Sequence, residues 1–142
     1  MANNKNNSID LAQRFAKALQ ALAKDLTLMS ESTYPYKAFF AAVPRSTPVS
    51  AETFRAAMGI GRRYTIDMSP AGKFFQQYQD PDYSDPDGVA AYALLEKVMK
   101  AVLTDHKVVY VRGKNVVNVR FYLFGRMEDG NLAGLTSTAI ET

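Results

Sequence analysis

The feature that most constrains the fold is a series of β-branched and aromatic runs in the last third of the chain. The segment "KVVYVRGKNVVNVRFYLFG" (107–125) holds two such runs, divided at Gly113 and Lys114, and "LAGLTSTAIET" (132–142) follows the turn-forming "MEDGN". Alternation of apolar and polar residues is typical of strands with one buried face. We therefore predict a three-stranded antiparallel meander with a two-residue hairpin at Gly113 and Lys114. One predicted face of its second strand carries Val117, Val119, Phe121 and Leu123.

Two amphipathic segments predict helices that cover this sheet. Ser8 is the predicted N-cap of the first, and Asp85, followed by Pro86, is the predicted N-cap of the last. Each segment has a single apolar side, so both helices should pack on the sheet, with opposite faces as one arrangement. The predicted buried stripes are Leu11, Phe15, Ala18, Leu22 and Leu26 in the first helix, and Leu95, Val98, Met99, Val102 and Leu103 in the last.

The middle of the chain predicts shorter elements. "YKAFFAAV" (36–43) and "RRYTIDM" (62–68) favour strands, and "SPAGKFFQQYQ" (69–79) favours a helical turn. Ser50 should cap a short helix that runs through Met58 and ends at Gly59. The whole pattern predicts an α+β fold, with an antiparallel-rich sheet covered by helices. We expect a polar, disordered tail at residues 1–7 and a single domain over residues 8–142.

Composition excludes several classes of protein. The chain has 142 residues and no cysteine, so it can form neither disulfides nor thiolate metal sites. No apolar run is long enough to span a bilayer, and the start, "MANNKNNSID", lacks the apolar region of a secretory signal. We therefore expect a cytoplasmic protein without a membrane segment.

The residues available for catalysis are few. His106 is the single histidine, and its place beside Asp105 after a predicted helix favours a capping or surface role. "GIGRRY" (59–64) lacks the lysine and hydroxyl residues of a phosphate-binding loop. We expect no enzymatic activity, no catalytic residue, no cofactor and no metal ion bound by this chain alone.

The charges leave two interpretations open. The net charge is +3, but "QDPDYSDPDG" (79–88) carries four aspartates, which form either a solvated loop or an anionic patch facing a basic partner. The best case for nucleic-acid contact is a set of basic and aromatic residues near the predicted hairpin. No RNA-recognition sequence accompanies them, and a sheet face covered by helices cannot stack bases, so we expect no direct binding. The set consists of Arg112, Lys114, Arg120, Arg126, Tyr110 and Tyr122.

One loop carries an isolated carboxylate between a helix and a strand. In "LMSESTYPYKAFF" (28–40), Glu31 is flanked by hydroxyl residues and followed by a Tyr-Pro-Tyr turn. Together with "GNLAGLTSTAIET" (130–142), this segment resembles the two signature segments of the nuclease A inhibitor family, and the order of the elements matches as well. The resemblance implies an α/β/α sandwich. It also implies a protein that inhibits a sugar-non-specific DNA/RNA endonuclease of the ββα-metal type in a 1:1 complex.

The resemblance assigns partner contacts to particular positions. It implies that Glu31 enters the active site of the nuclease and that Thr142 reaches the catalytic Mg²⁺. A third family contact, a glutamine after "FF" (74–75), corresponds by spacing to Asp82, with Gln79 as the alternative. The remaining predicted partner-binding residues are Ser30, Ser32, Tyr34 and Glu141. Two alternatives stay open: a basic module that binds nucleic acid directly, and an inhibitor fold recruited to another protein partner.

Overall fold

The computed structural model describes residues 4–26 and 34–141. For residues 4–8 it describes the backbone only. Ser30, Glu31, Ser32 and Thr142 therefore lie outside the described residues. Within the described ranges the chain forms four helices and five strands. In chain order they are α1 (Asn4–Leu22), β1 (Lys37–Ala41), α2 (Ala51–Met58), β2 (Tyr64–Pro70), α3 (Gly72–Tyr78), α4 (Pro86–Val102), β3 (Thr104–Gly113), β4 (Asn118–Arg126) and β5 (Leu132–Ile140).

The described strands form one antiparallel sheet. Their order is β1-β5-β4-β3-β2, which confirms the predicted meander of β3, β4 and β5. The predicted two-residue hairpin is wrong, because β3 ends at Gly113 and β4 begins only at Asn118. Asn115 adopts a φ of 60° in this connection, and the Val116 N–H donates to the Gly113 carbonyl over 3.3 Å. Asparagine tolerates the left-handed conformation, which allows the longer turn.

Helices cover both faces of the sheet. On one face, α1, α3 and α4 enclose a core that includes Leu19, Phe74, Leu95 and Phe121. On the other face, α2 places Phe54 in a second core. These layers confirm the α+β fold and its antiparallel sheet.

The arrangement of α1 and α4 on opposite faces is wrong, because both contribute to the first core. The connections explain this outcome. Leu103, also in that core, is the one residue between α4 and β3, which keeps α4 on the same face. The chain segment containing α2 joins the two edge strands, β1 and β2, and therefore crosses the second face.

Helix α1 differs from its prediction at its start. It begins at Asn4, so Ser8 lies inside the helix rather than capping it, and residues 4–7 are helical where the sequence predicts a disordered tail. A good N-cap residue is worth only about 1 kcal/mol, which does not prevent a helix from starting further upstream.

The side of helix α1 that packs on the sheet also differs from the predicted side. Leu11 and Leu22 are 54% and 38% exposed, and Ala18 is exposed as well, so the predicted stripe is wrong for these three residues, whereas Leu26 is buried as predicted. Small side chains let the helix approach β1 and β5 closely, which explains why the alanine side faces the core. The buried residues within and just after the helix are Ala12, Ala16, Leu19 and Ala23.

Helix α4 follows its prediction more closely. Asp85 caps it, with the carboxylate accepting a bond from the Gly88 N–H over 2.7 Å. Leu95, Met99 and Leu103 are buried as predicted, but Val102 is 46% exposed because the last turn rotates it away from the sheet. No helix among the described residues has the length and hydropathy needed to cross a bilayer.

The short helix α2 confirms both of its predicted ends. The Ser50 hydroxyl accepts a bond from the Thr53 N–H over 3.2 Å, as an N-cap residue does. Gly59 ends the helix with a φ of 63°, a left-handed conformation that costs glycine little. The two caps hold Phe54 over the second face of the sheet, where its ring stacks on Phe124 at 5.4 Å.

The exposed and buried leucines of α1 give the first prediction. Leu19→Ala should lower the free energy of unfolding by about 2 to 5 kcal/mol, because Leu19 is fully buried and its removal leaves a cavity. Leu11→Ala in the same helix is the matched control and should cost less than about 1 kcal/mol. Chemical denaturation measures both changes. Equal losses for the two variants would contradict the observed orientation of α1.

Candidate functional site

The described part of the Tyr-Pro-Tyr turn is bound to the last strand. The hydroxyl of Ser137 in β5 lies 3.2 Å from the carbonyl oxygen of Tyr34 and 3.1 Å from that of Pro35, and can donate to either. Ser137 is buried, whereas Tyr34 keeps 39% of its surface exposed. The turn therefore lies against the C-terminal half of β5, beside the point where β1 begins at Lys37.

The residue after β5 is held by the protein itself. The Glu141 N–H donates to the Val117 carbonyl over 2.9 Å. Its carboxylate accepts two bonds from Arg112, one from Nε over 3.0 Å and one from Nη2 over 2.9 Å. Arg112 Nη1 donates to Asp67 Oδ2 over 2.6 Å. A planar guanidinium that meets a carboxylate through two parallel bonds forms one of the strongest types of charge-assisted contact.

This pairing changes the acidity of Glu141. The hydrogen bonds from Arg112 lower the pKa of the Glu141 carboxyl, although partial burial opposes the shift. The same hydrogen bonds raise the pKa of Arg112. The Glu141 side chain is 47% exposed, so water and salt weaken the attraction.

Tyr110 completes this group of residues. The Arg112 guanidinium lies 4.8 Å from the centre of the Tyr110 ring, within cation–π range. Burial raises the pKa of the Tyr110 hydroxyl. Tyr110 pairs with Asp67 across β3 and β2, which places both side chains on the sheet face that α1, α3 and α4 cover. We call Asp67, Tyr110, Arg112 and Glu141 the Arg112 cluster.

The acidic loop lies on the same side of the sheet. The Asp82 N–H donates to Asp80 Oδ1 over 2.9 Å, and the Asp82 side chain is exposed. The next residue, Tyr83, meets the Tyr78 ring edge-on at 5.3 Å and lies near enough to Tyr110 to help raise the pKa of its hydroxyl. Tyr83 packs against the first core, as Tyr110 does, so the Asp82 loop and Tyr110 lie on the same side of the sheet.

Gln79, the alternative to Asp82, is engaged within the fold. Its Nε2 donates to Glu96 Oε1 over 2.9 Å. Burial would raise the pKa of Glu96, but the hydrogen bonds from Gln79 and Lys100 outweigh it and lower that pKa. Of the two residues, Asp82 has the exposed side chain, whereas Gln79 is half-buried.

One row of paired residues across the sheet connects Ser137, which anchors the Tyr34 turn, with the Arg112 cluster. Ser137 pairs with Phe121, Phe121 with Tyr110, and Tyr110 with Asp67. Paired residues of an antiparallel sheet share a face, so the anchor of the Tyr34 turn and the Arg112 cluster belong to one face. Sequence reasoning did not find Ser137 or Asp67. No local pattern distinguishes these residues, because their partners are distant in the chain.

The predicted basic set does not form one surface. Arg112 is paired with Asp67 and Glu141. Arg120 pairs with Val111 of the second core and therefore lies on the opposite face, with its guanidinium 5.8 Å from the Tyr64 ring. Division between two faces argues against a single stacking platform for nucleic acid.

His106 has a local contact that accounts for it. Its Nε2 lies 3.3 Å from the Met99 carbonyl oxygen in the last turn of α4, which is the predicted capping position. Over residues 4–26 and 34–141, the structure shows no group of three histidine, aspartate or glutamate residues arranged to hold a metal ion.

The comparison with known protein families identifies the class to which this fold belongs. The fold is a small α+β domain whose candidate site lies on one face at the end of a sheet. The family described as "Nuclease A inhibitor-like protein" matches residues 13–142, nearly the whole chain. The chain therefore belongs to the nuclease A inhibitor-like family, which confirms the resemblance seen in the sequence. A search of curated proteins found no match.

The Ser137 hydroxyl gives the second prediction. Ser137→Ala should loosen the Tyr34 turn, because it removes the donor to the Tyr34 and Pro35 carbonyls, at a cost of about 0.5 to 1.5 kcal/mol in unfolding free energy. Amide hydrogen exchange of Tyr34, Tyr36 and Lys37 should become faster. Thr138→Ala, on the other face of the same strand, is the control and should leave this exchange unchanged. Unaltered exchange in Ser137→Ala would show that the hydroxyl does not anchor the turn.

The lowered pKa of Glu141 gives the third prediction. A carboxyl whose pKa is lower in the folded state stabilises the fold above its unfolded pKa, near 4.5, and loses this effect as the pH falls through the folded value. The unfolding free energy of wild type should exceed that of Glu141→Gln by about 0.2 to 1 kcal/mol at neutral pH, as expected of an exposed ion pair. The difference should shrink in acid and in high salt. Denaturation curves over a pH series measure it, and a difference independent of pH would contradict the pairing.

Proposed function

We propose that this protein inhibits a sugar-non-specific nuclease of the ββα-metal type by binding its active site in a 1:1 complex through Glu31 and Thr142. Membership of the inhibitor-like family supports the activity. The observation that carries the proposed site is the anchoring of Tyr34 and Pro35 by Ser137, on the same strand that leads to Glu141. Tyr34, three residues after Glu31, and Glu141, which precedes Thr142, therefore both lie towards the C-terminal end of β5.

Covalent geometry limits how far the two contacts lie from these anchors. Each residue extends a chain by at most about 3.6 Å, so the Cα atom of Glu31 lies within about 11 Å of that of Tyr34. The Cα atom of Thr142 is about 3.8 Å from that of Glu141. Ser137 and Glu141 are separated by about 14 Å of strand. These limits are compatible with one continuous interface, since a standard interface buries about 800 Å² per partner.

The chemistry of the two residues suits a metal-dependent nuclease. The Glu31 carboxylate can imitate the charge of a phosphate towards the basic groups that hold the substrate. Thr142 offers hard oxygen atoms, the ligands that Mg²⁺ prefers, to the metal ion of the partner. Occupying that position would exclude the scissile phosphate or the water that the metal ion activates. Inhibition by this route needs no catalytic residue in the inhibitor.

The acidic loop supports binding to a basic enzyme surface. The net charge of +3 opposes association with a protein that binds nucleic acid, so attraction must come from local charge. Asp82 is exposed, and the next residue, Tyr83, packs on the sheet face to which Tyr110 and Ser137 belong. We assign Asp82 to the edge of the interface, where charges mainly raise the rate of association.

Two changes test the proposal, and they form the fourth prediction. Glu31→Ala, and separately one residue appended after Thr142, should each weaken inhibition of a ββα-metal nuclease by about 100-fold or more, as expected for central contacts of an interface. The unfolding free energy should not change. Inhibition of nuclease activity on a DNA substrate measures the effect.

The opposite end of β5 provides a control. Glu128→Ala removes an exposed carboxylate from the β4–β5 turn and should leave inhibition intact. Full inhibition by both test variants would overturn the proposed contacts. Salt-sensitive binding to DNA without any nuclease would instead support the nucleic-acid-binding alternative. Stable capture of a protein that is not a nuclease would support recruitment of the fold to another partner.

A further inference from the structure

We propose that Arg112, oriented by Asp67, is a positioning residue for inhibition: it holds Glu141, the residue to which Thr142 is attached, in one defined position. This inference rests on the proposed function. It also changes the role expected of Glu141, which the sequence suggests as a direct partner contact. Arg112 itself would not touch the nuclease.

The contacts of Arg112 use the whole guanidinium. Nε and Nη2 bind the two carboxylate oxygens of Glu141, and Nη1 binds Asp67. With one side of the plane over the Tyr110 ring, few rotations of the group remain possible. Lysine could supply the charge but not this fixed arrangement of donors. The geometry therefore favours arginine as a holder of direction as well as a source of charge.

The backbone alone restrains the end of β5 weakly. Strand β5 ends at Ile140, and the next backbone bond joins the Glu141 N–H to the Val117 carbonyl. Val117 belongs to the exposed connection between β3 and β4, not to a strand. A bond to such a connection opens more easily than one inside the sheet. The Arg112 side chain adds a second restraint, and it originates in β3, which is paired on both sides.

A restrained chain end would improve inhibition through entropy. A flexible end loses conformational freedom when it enters an active site, and that loss weakens binding. An end already held near its bound direction loses less. The Arg112 cluster holds Glu141, the residue to which Thr142 is attached. Arg112 should therefore affect inhibition only by way of its contact with Glu141.

The fifth prediction follows from the contact between Arg112 and Glu141. Arg112→Gln and Glu141→Gln should each weaken inhibition about tenfold. The double variant should be no weaker than the worse single variant, because both substitutions remove the same contact. Arg112→Lys should recover only part of the loss. Arg120→Gln, which removes the same charge from the opposite sheet face, is the matched control and should inhibit like wild type.

A measurement without nuclease examines the restraint itself. In Arg112→Gln, amide hydrogen exchange at Glu141 should become faster, whereas exchange at Phe121, deep in β4, should not change. A general loss of stability would accelerate both positions, so the comparison separates a local role from a structural one.

Three results would overturn the inference about Arg112. Unchanged exchange at Glu141 in Arg112→Gln would show that Arg112 does not hold the chain end. Faster exchange with full inhibition would show that holding it is irrelevant to binding. Equal losses in Arg112→Gln and Arg120→Gln would indicate a general effect of charge. If wild type itself inhibits no ββα-metal nuclease, the proposed function fails, and that result is distinct because it does not depend on any variant.

Discussion

The structure depends on the pairing of β5 in the interior of the sheet. The last strand lies between β1 and β4 and bonds to both, so β5 is an interior strand of the sheet. Strands β4 and β5 pack closely at Gly134, where a Cβ atom would overlap the Leu123 carbonyl oxygen, so a larger residue does not fit there. Because β1 and β5 are antiparallel, the start of β1 and the end of β5 meet at the same end of the sheet. The described residues just before β1 and just after β5 therefore lie at that end of the sheet.

The distribution of helices determines which face can present a site. Helices α1, α3 and α4 share one core, and their small and aromatic side chains fill it. The Arg112 cluster belongs to this same face but contains charged residues that remain partly exposed. The second face, under α2, holds a separate aromatic core in which Phe54 stacks on Phe124. The two faces thus separate the basic residues near Tyr64 from the acidic loop and the end of β5.

Local charge matters more here than the net charge. A net positive charge opposes binding to a nuclease that itself binds polyanions. Arg112, however, is neutralised by its own carboxylate partners, and Arg120 lies on the other face. The exposed aspartates of the 80–87 loop lie on the side of the proposed contacts. Electrostatic steering depends on the field near the interface, which salt screens beyond about 10 Å. The family assignment and the charge of the chain are therefore compatible.

Much of the local structure could be predicted from the sequence. Ser50, Gly59 and Asp85 were identified because capping depends on residues within one helical turn, and β4 was identified by its alternation. The signature segments identified the family. Tertiary structure alone decided that α1 buries alanines rather than Leu11 and Leu22, that the β3–β4 turn is longer, and that Arg112 joins Asp67 to Glu141. Those outcomes depend on strand register and helix approach, which bring together residues distant in the chain, and no pattern within a short segment specifies them.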